Sequence, residues 1–136
     1  MNNEFNPIIN EKAILVVDDS NITRNLIDHV YKDKYKVLMA TDGKGAMDIV
    51  DVMKDSIVAI LLDLNMPDVD GFTVLDYFMD KKILDEIPVC IITGEEAPEI
   101  IGKVKTYPVS EILLKPFSAD QISTVVTKAI ELKGRK

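Results

Sequence analysis

Four apolar runs in this 136-residue chain each stop at a residue suited to phosphoryl chemistry. Ala13-Ile14-Leu15-Val16-Val17 stops at Asp18-Asp19, and Ile57-Val58-Ala59-Ile60-Leu61-Leu62 stops at Asp63. Val89-Cys90-Ile91-Ile92 stops at Thr93, and Ile112-Leu113-Leu114 stops at Lys115-Pro116. If these runs are parallel strands, their C-terminal ends share one edge of a sheet. Three carboxylates, a hydroxyl and an ammonium then face one crevice. Adjacent buried carboxylates repel, and a bound cation removes that cost. Mg²⁺ suits such a place, because it takes oxygen ligands and typically uses one or two carboxylates plus phosphate oxygens. Asp63 would be the nucleophile, since a carboxylate that attacks phosphorus forms an acyl phosphate. Each piece also has a plainer use: Asp as a turn or cap residue, Thr as a strand end, Lys as a solvated surface group. The pairing of Asp18 with Asp19, with Ser20 present to do the capping, weakens the plain reading there.

The elements that must position these residues alternate along the chain. The sequence predicts a buried strand over 12–18, then a helix capped by Ser20 and running to about 33, with Ile22, Leu26, Ile27 and Val30 inward. A strand over 36–40, a turn at Asp42-Gly43 and a helix over 44–54 follow. The run 57–62 is apolar throughout, as a central strand covered on both faces should be. A loop over 65–71 leads to a helix over 72–82 and a strand over 88–92. Pro98 suits the first turn of a short helix that ends before Tyr107-Pro108. The strand 112–114 precedes a last helix capped by Ser118, with Ile122, Val125, Val126, Ala129, Ile130 and Leu132 on its apolar face. Five successive strand–helix units imply an α/β fold with a parallel sheet and right-handed crossovers. Such a sheet binds ligands beyond its strand C-termini, where the strand order reverses. The expected boundaries are a loose leader over 1–11, one domain over 12–132 and a basic tail over 133–136.

Bulk properties narrow the classes. The length suits one domain with one core. A net charge of -7 and a pI near 4.7 argue against direct nucleic-acid binding, which needs a basic surface. The single cysteine, Cys90, lies within an apolar run and reads as a buried thiol, against a disulfide-framed secreted domain. No signal peptide is visible and no apolar run approaches a membrane span. The expectation is a cytoplasmic protein without a membrane partner. His29 reads as a packing or surface residue, and Lys103 and Lys105 as a solvated helix face.

Together these residues resemble the receiver domain of two-component response regulators. The resemblance spans about Lys12 to Leu132. It rests on Ile14-Leu15-Val16-Val17-Asp18-Asp19-Ser20, Leu62-Asp63-Leu64-Asn65-Met66-Pro67-Asp68-Val69-Asp70-Gly71, Ile91-Ile92-Thr93-Gly94 and Leu114-Lys115-Pro116-Phe117, in the family's order and spacing. It implies a flavodoxin-like, doubly wound (βα)5 fold with strand order 2-1-3-4-5. It implies Asp63 as phosphoacceptor, with Mg²⁺ held by Asp18, Asp19, Asp63 and the backbone carbonyl of Asn65. It implies that Thr93 and Lys115 contact the phosphoryl group, that the Lys115-Pro116 bond is cis, and that Gly71 ends its loop where a side chain would be awkward. Gly94 leaves the phosphoryl group accessible. The implied donor is a phosphohistidine on a sensor histidine kinase or phosphotransfer protein. The implied output is a shift of the face formed by the helix at Pro98, the last strand and the last helix, toward an unnamed target protein or domain. The chain would catalyse only its own phosphorylation and dephosphorylation.

The sequence departs from the family three residues before Lys115. Ile112 stands where Tyr or Phe is usual, and Tyr107 is off register. Pro108-Val109-Ser110-Glu111-Ile112 also differs from the segment common in DNA-binding regulators, so their charge-paired dimer through this face is not expected. Asn65 and Glu95 lie two positions beyond Asp63 and Thr93, sites that by the resemblance influence how readily water reaches the acyl phosphate, and two polar residues there imply fairly quick loss of the phosphoryl group. Three rivals remain. An aspartate-nucleophile phosphatase of the haloacid dehalogenase type wants an acid where Asn65 stands. A phosphorylation-independent interaction domain would commonly have lost one of the acids or the lysine. A flavin-binding domain would want a Gly- or Ser/Thr-rich loop in place of Asp18-Asp19.

Overall fold

The computed structural model describes residues 12–66, 70–94 and 97–134. The expected leader over 1–11 lies outside them, as do Glu95 and most of Pro67-Asp68-Val69-Asp70. The chain alternates β1 (Ala13–Val17), α1 (Asn21–Tyr31), β2 (Lys36–Ala40), α2 (Gly43–Met53), β3 (Ile57–Asp63), α3 (Gly71–Asp80), α4 (Ile83–Glu86), β4 (Val89–Thr93), α5 (Pro98–Val104), β5 (Glu111–Leu114) and α6 (Ala119–Gly134). A short 3-10 turn, Lys54–Ser56, links α2 to β3. All strand pairs are parallel, and the sheet order is β2-β1-β3-β4-β5, as expected.

The period-2 alternation of a strand divides the core in two. Leu15, Val17, Ile60, Leu62, Val89 and Ile91 pack on one side with Val50, Val74, Leu75, Phe78 and Val104. Ile14, Val16, Ala59, Leu61, Cys90 and Ile92 pack on the other with Ile27, Tyr31, Ile122 and Val126. β3 is buried along nearly its whole length because helices cover both faces. Truncating one of its large side chains, such as Ile60→Ala, would cost about 2–5 kcal/mol. The strand therefore anchors whatever stands at its end.

Helix starts follow local chemistry. Ser20 caps α1, accepting from Thr23 N, and Asp42 caps α2, accepting from Gly45 N at 2.8 Å. Asp70 caps α3, accepting from Thr73 N at 3.0 Å. At α6, Ser118 Oγ accepts from Gln121 N at 3.1 Å while Ser118 N donates to Gln121 Oε1 at 2.8 Å. That reciprocal capping box satisfies two backbone amides at once.

Three expectations need correction. Ile22 is 81% exposed, and the buried stripe of α1 is Thr23, Ile27 and Tyr31, with Leu26 and Val30 half-buried beside it. Leu132 is 54% exposed and stands off the packed face of α6. A helical turn, α4, occupies Ile83–Glu86, where no element was expected, and buries Ile83 and Leu84. The chain enters it through Lys82 in the left-handed region, at φ 63°. His29 is exposed and Cys90 fully buried. Burial, and secondarily the charge of Glu111, pushes the Cys90 thiol up to about 12.

Candidate functional site

Strand register brings the four run ends together. Val17 pairs with Leu62, so Asp18 emerges beside Asp63. Asp63 pairs with Ile92, so Thr93 lies one step beyond it on the neighbouring strand. Thr93 pairs with Leu114, and Lys115 N donates to Thr93 O at 2.8 Å. The Lys115-Pro116 peptide is cis.

The carboxylates of Asp18, Asp19 and Asp63 each offer an oxygen within 4.8 Å of the others. Asp18 and Asp63 are buried, and Asp19 is exposed at the mouth. Lys115 Nζ sits between the buried pair, 2.8 Å from Asp18 Oδ2 and 3.4 Å from Asp63 Oδ2. Asp18 Oδ1 accepts from Ser20 N at 2.9 Å, and Asp63 Oδ1 accepts from Asn65 N at 3.1 Å. Asp18 Oδ2 has no well-directed hydrogen bond among the described residues, so the ion pair is its one compensation there. Thr93 is wholly buried at the floor.

The electrostatics are those of a site short of positive charge. Burial, then the neighbouring charge of Asp18, pushes Asp63 up to about 6. The Asn65 amide and Lys115 pull it back only in part. Burial alone would lower Lys115. Its close contact with Asp18, with the charges of Asp63 and Asp18, more than offsets this and leaves it raised. One ammonium paired with two of three converging carboxylates leaves room for a small hard cation, and the oxygen-only donor set suits Mg²⁺. The under-compensated Oδ2 of Asp18 fits the same conclusion.

Gly71 closes the loop behind Asp63. Its amide donates to Leu64 O at 3.0 Å, and a Cβ there would lie 2.6 Å from Leu64 Cα and 2.8 Å from Asp63 O. The expectation that a side chain is excluded holds for this position. Gly94 differs, since a Cβ there would meet nothing within 4 Å.

The departures have structural expression too. Ile112 is half-buried opposite Ile91. Tyr107 Oη donates to Asp76 Oδ1 at 2.6 Å, and its ring lies 6.2 Å from that of Phe72. Lys103, exposed as expected, also stands over the Phe72 ring at 4.2 Å. Arg24, which the sequence reading passed over, donates through Nη1 to the backbone carbonyl of Asp18 at 2.8 Å and through Nη2 to Asn21 Oδ1.

Comparison with known proteins agrees with the geometry. The response regulator receiver domain model matches residues 14–127, and the chain belongs to that family. Among curated proteins it is 35% identical over 129 residues to sporulation initiation phosphotransferase F of Bacillus subtilis, covering 93% of this chain and 99% of that one. It is 28% identical over 121 residues to the two-component response regulator ORR3 of Oryza sativa, covering 88% of this chain and 92% of the other. Among solved structures, a response regulator receiver domain protein from Clostridium thermocellum superposes with a TM-score of 0.80 at 27% identity, covering 91% and 98% of the two chains. Chemotaxis protein CheY4 of Vibrio cholerae gives 0.77 at 27% identity, covering 88% and 98%. The chain is therefore a receiver domain of two-component systems, with the flavodoxin-like arrangement expected. Among the described residues, no helix is long and apolar enough to cross a membrane.

Proposed function

We propose that this receiver accepts a phosphoryl group on Asp63 and works as a phosphorylation-dependent switch. The convergence of three carboxylate oxygens within 4.8 Å, with Lys115 between two of them, carries the reading. A carboxylate oxygen of Asp63 attacks the phosphorus of a phosphohistidine on a sensor histidine kinase or phosphotransfer protein. The P–N bond breaks, the electron pair stays on the imidazole, and an acyl phosphate forms. Water later attacks the same phosphorus, releasing inorganic phosphate and restoring the carboxylate. Asp18, Asp19, Asp63 and the backbone carbonyl of Asn65 would hold Mg²⁺, which when bound screens the approach of two anions and stabilises charge in transfer. Lys115 exchanges its Asp63 contact for a phosphoryl oxygen, and Thr93 donates its hydroxyl to another. This is self-directed chemistry rather than turnover of an external substrate.

Phosphorylation then biases a two-state equilibrium of the face built from α5, β5 and α6. With Ile112 in place of an aromatic ring, displacement of the loop after Thr93 and of α5 carries the change. A Thr93→Ala protein that keeps its full partner response would refute this route. Asn65 and Glu95 set the access of water to the acyl phosphate, so Asn65→Ala and Glu95→Ala should alter its lifetime. A second reading, in which the phosphoryl group is handed on to another carrier, is favoured by the 35% identity to a sporulation phosphotransferase.

The test is intact mass after incubation with Mg²⁺ and acetyl phosphate, with Asp63→Asn alongside. A gain of one phosphoryl group, lost in the variant and without Mg²⁺, supports the proposal. No gain here, and none from a phosphohistidine donor, in a folded protein that binds Mg²⁺ would favour an interaction domain independent of phosphorylation.

A further inference from the structure

We propose that Arg24 is a positioning residue for the cation site, acting through the Asp18-Asp19 peptide; the inference rests on the metal-dependent reading above. Asp18 leaves the sheet at β1's end. Its amide is still bonded to Ala40 O at 3.0 Å, and its carboxylate is fixed by Ser20 N and Lys115. Its carbonyl is held by Arg24 Nη1 at 2.8 Å. Arg24 lies in the first turn of α1, and helical side chains lean back toward the N-terminus, so it reaches over the turn that precedes the helix. Asn21 Oδ1 takes the second guanidinium nitrogen and so orients the fork. A planar guanidinium can serve both acceptors at once, which a lysine ammonium cannot do with the same geometry.

The consequence falls on Asp19. Its carboxylate is exposed and has no hydrogen-bond partner among the described residues, yet it is one of the three that converge. Nothing on its own side chain fixes its direction. That direction follows from the peptide plane between Asp18 and Asp19, and Arg24 holds the carbonyl of that plane. Arg24 is also a cation, and charge alone would repel Mg²⁺. Positioning and repulsion therefore predict opposite signs.

The experiment is a calorimetric Mg²⁺ titration of the unphosphorylated chain, with the Asp19 and Ser20 amide resonances followed in parallel. The variants are Arg24→Gln, Arg24→Lys and Asn21→Ala, each with its thermal midpoint. Positioning predicts that all three weaken Mg²⁺ binding, by roughly tenfold for the Arg24 variants, the lower end of what losing a ligand's supporting partner costs. Arg24→Lys keeps the charge and still loses affinity. Asn21→Ala changes no charge, removes an exposed side chain and decides the matter if the Arg24 variants fold poorly. Unchanged affinity in Asn21→Ala and Arg24→Lys, or tighter binding in Arg24→Gln with Arg24→Lys like wild type, overturns the proposal. A merely structural role would lower the midpoint and leave the affinity of the folded protein alone. A wild-type chain that binds no Mg²⁺ overturns the metal-dependent reading itself, and this inference with it.

Discussion

Replacing Gly71 with alanine should damage both stability and the site, and the size of the effect can be worked out. The new Cβ would stand 2.6 Å from Leu64 Cα and 2.8 Å from Asp63 O, both of them backbone atoms. Carbon atoms in contact sit about 3.5–4.0 Å apart, so the chain must give by roughly 1 Å. Overpacking of this kind costs about 1–3 kcal/mol. Alanine's helical advantage over glycine returns at most ~1 kcal/mol, and less at a first helical position. The net loss is about 2 kcal/mol, which for a domain of this size lowers Tm by roughly 5–10 °C. The movement falls on the peptide after Asp63, whose carboxylate is fixed by Asn65 N at 3.1 Å, so Mg²⁺ affinity should fall as well. The matched control is Gly102→Ala inside α5, where a Cβ meets nothing within 4 Å. It should gain about 0.5–1 kcal/mol. Thermal and urea unfolding of both variants provide the assay. A Gly71→Ala protein as stable as wild type, or a Gly102→Ala protein that loses as much, would refute the steric argument.

Three other perturbations test the electrostatics and the backbone. Asp63, raised from 3.8 to about 6, binds its proton more tightly when folded. Its stabilising contribution is thus full below pH 3.8 and lost as pH rises through 6, by at most ~3 kcal/mol. In EDTA, Asp63→Asn should therefore gain on wild type between pH 4 and 7; parallel unfolding curves at the two pH values would contradict this. Lys115→Met should bind Mg²⁺ more tightly, since an ammonium 2.8 Å from Asp18 competes for the same oxygens. It should also destabilise the metal-free protein by about 3 kcal/mol, the lower end for breaking a buried ion pair, with Mg²⁺ restoring the loss in a thermal melt. Lys82→Gly should stabilise by up to ~1 kcal/mol, because a left-handed backbone costs a lysine about 1–2 kcal/mol that glycine does not incur. A urea midpoint below that of wild type would count against it.

Much of the fold was legible because the strands carry little besides their pattern. The run 57–62 is apolar at every position and too short for a typical helix, which favours a strand buried on both faces. The site was legible because each of its residues ends such a run, and parallel register does the rest. What escaped has physical reasons. One position of the α1 stripe was misplaced because Ile22 outranks Thr23 in hydrophobicity, yet Thr23 is buried while Ile22 stands in solvent. α4 has four residues, too few to show a helical period. Arg24 went unnoticed because its target is a main-chain carbonyl, and a carbonyl leaves no mark on the sequence.

The absence of an aromatic ring at 112 raises the question of how a change at Asp63 reaches α5. Ile112, half-buried against β4, has no ring to swing between solvent and interior. The aromatic contact at this corner lies elsewhere. Tyr107, just after α5, donates to Asp76 and packs on Phe72, and Lys103 stands over the Phe72 ring. Phe72 follows Gly71, whose amide is bonded to Leu64 O at 3.0 Å and which has no room for a Cβ against Leu64 and the Asp63 carbonyl. A shift of the peptide after Asp63 must therefore load the first turn of α3, and through it α5. The two polar ties are modest, about 0.5–1 kcal/mol for the cation–π contact and about 0.5–1.5 kcal/mol for the hydrogen bond. They are large enough to bias a two-state element several-fold and too small to decide whether the chain folds. A Lys103→Ala, Tyr107→Phe double variant should thus phosphorylate at the wild-type rate and show a reduced change in α5 amide shifts on phosphorylation. If the full change persists, α5 is driven from the Thr93 side alone.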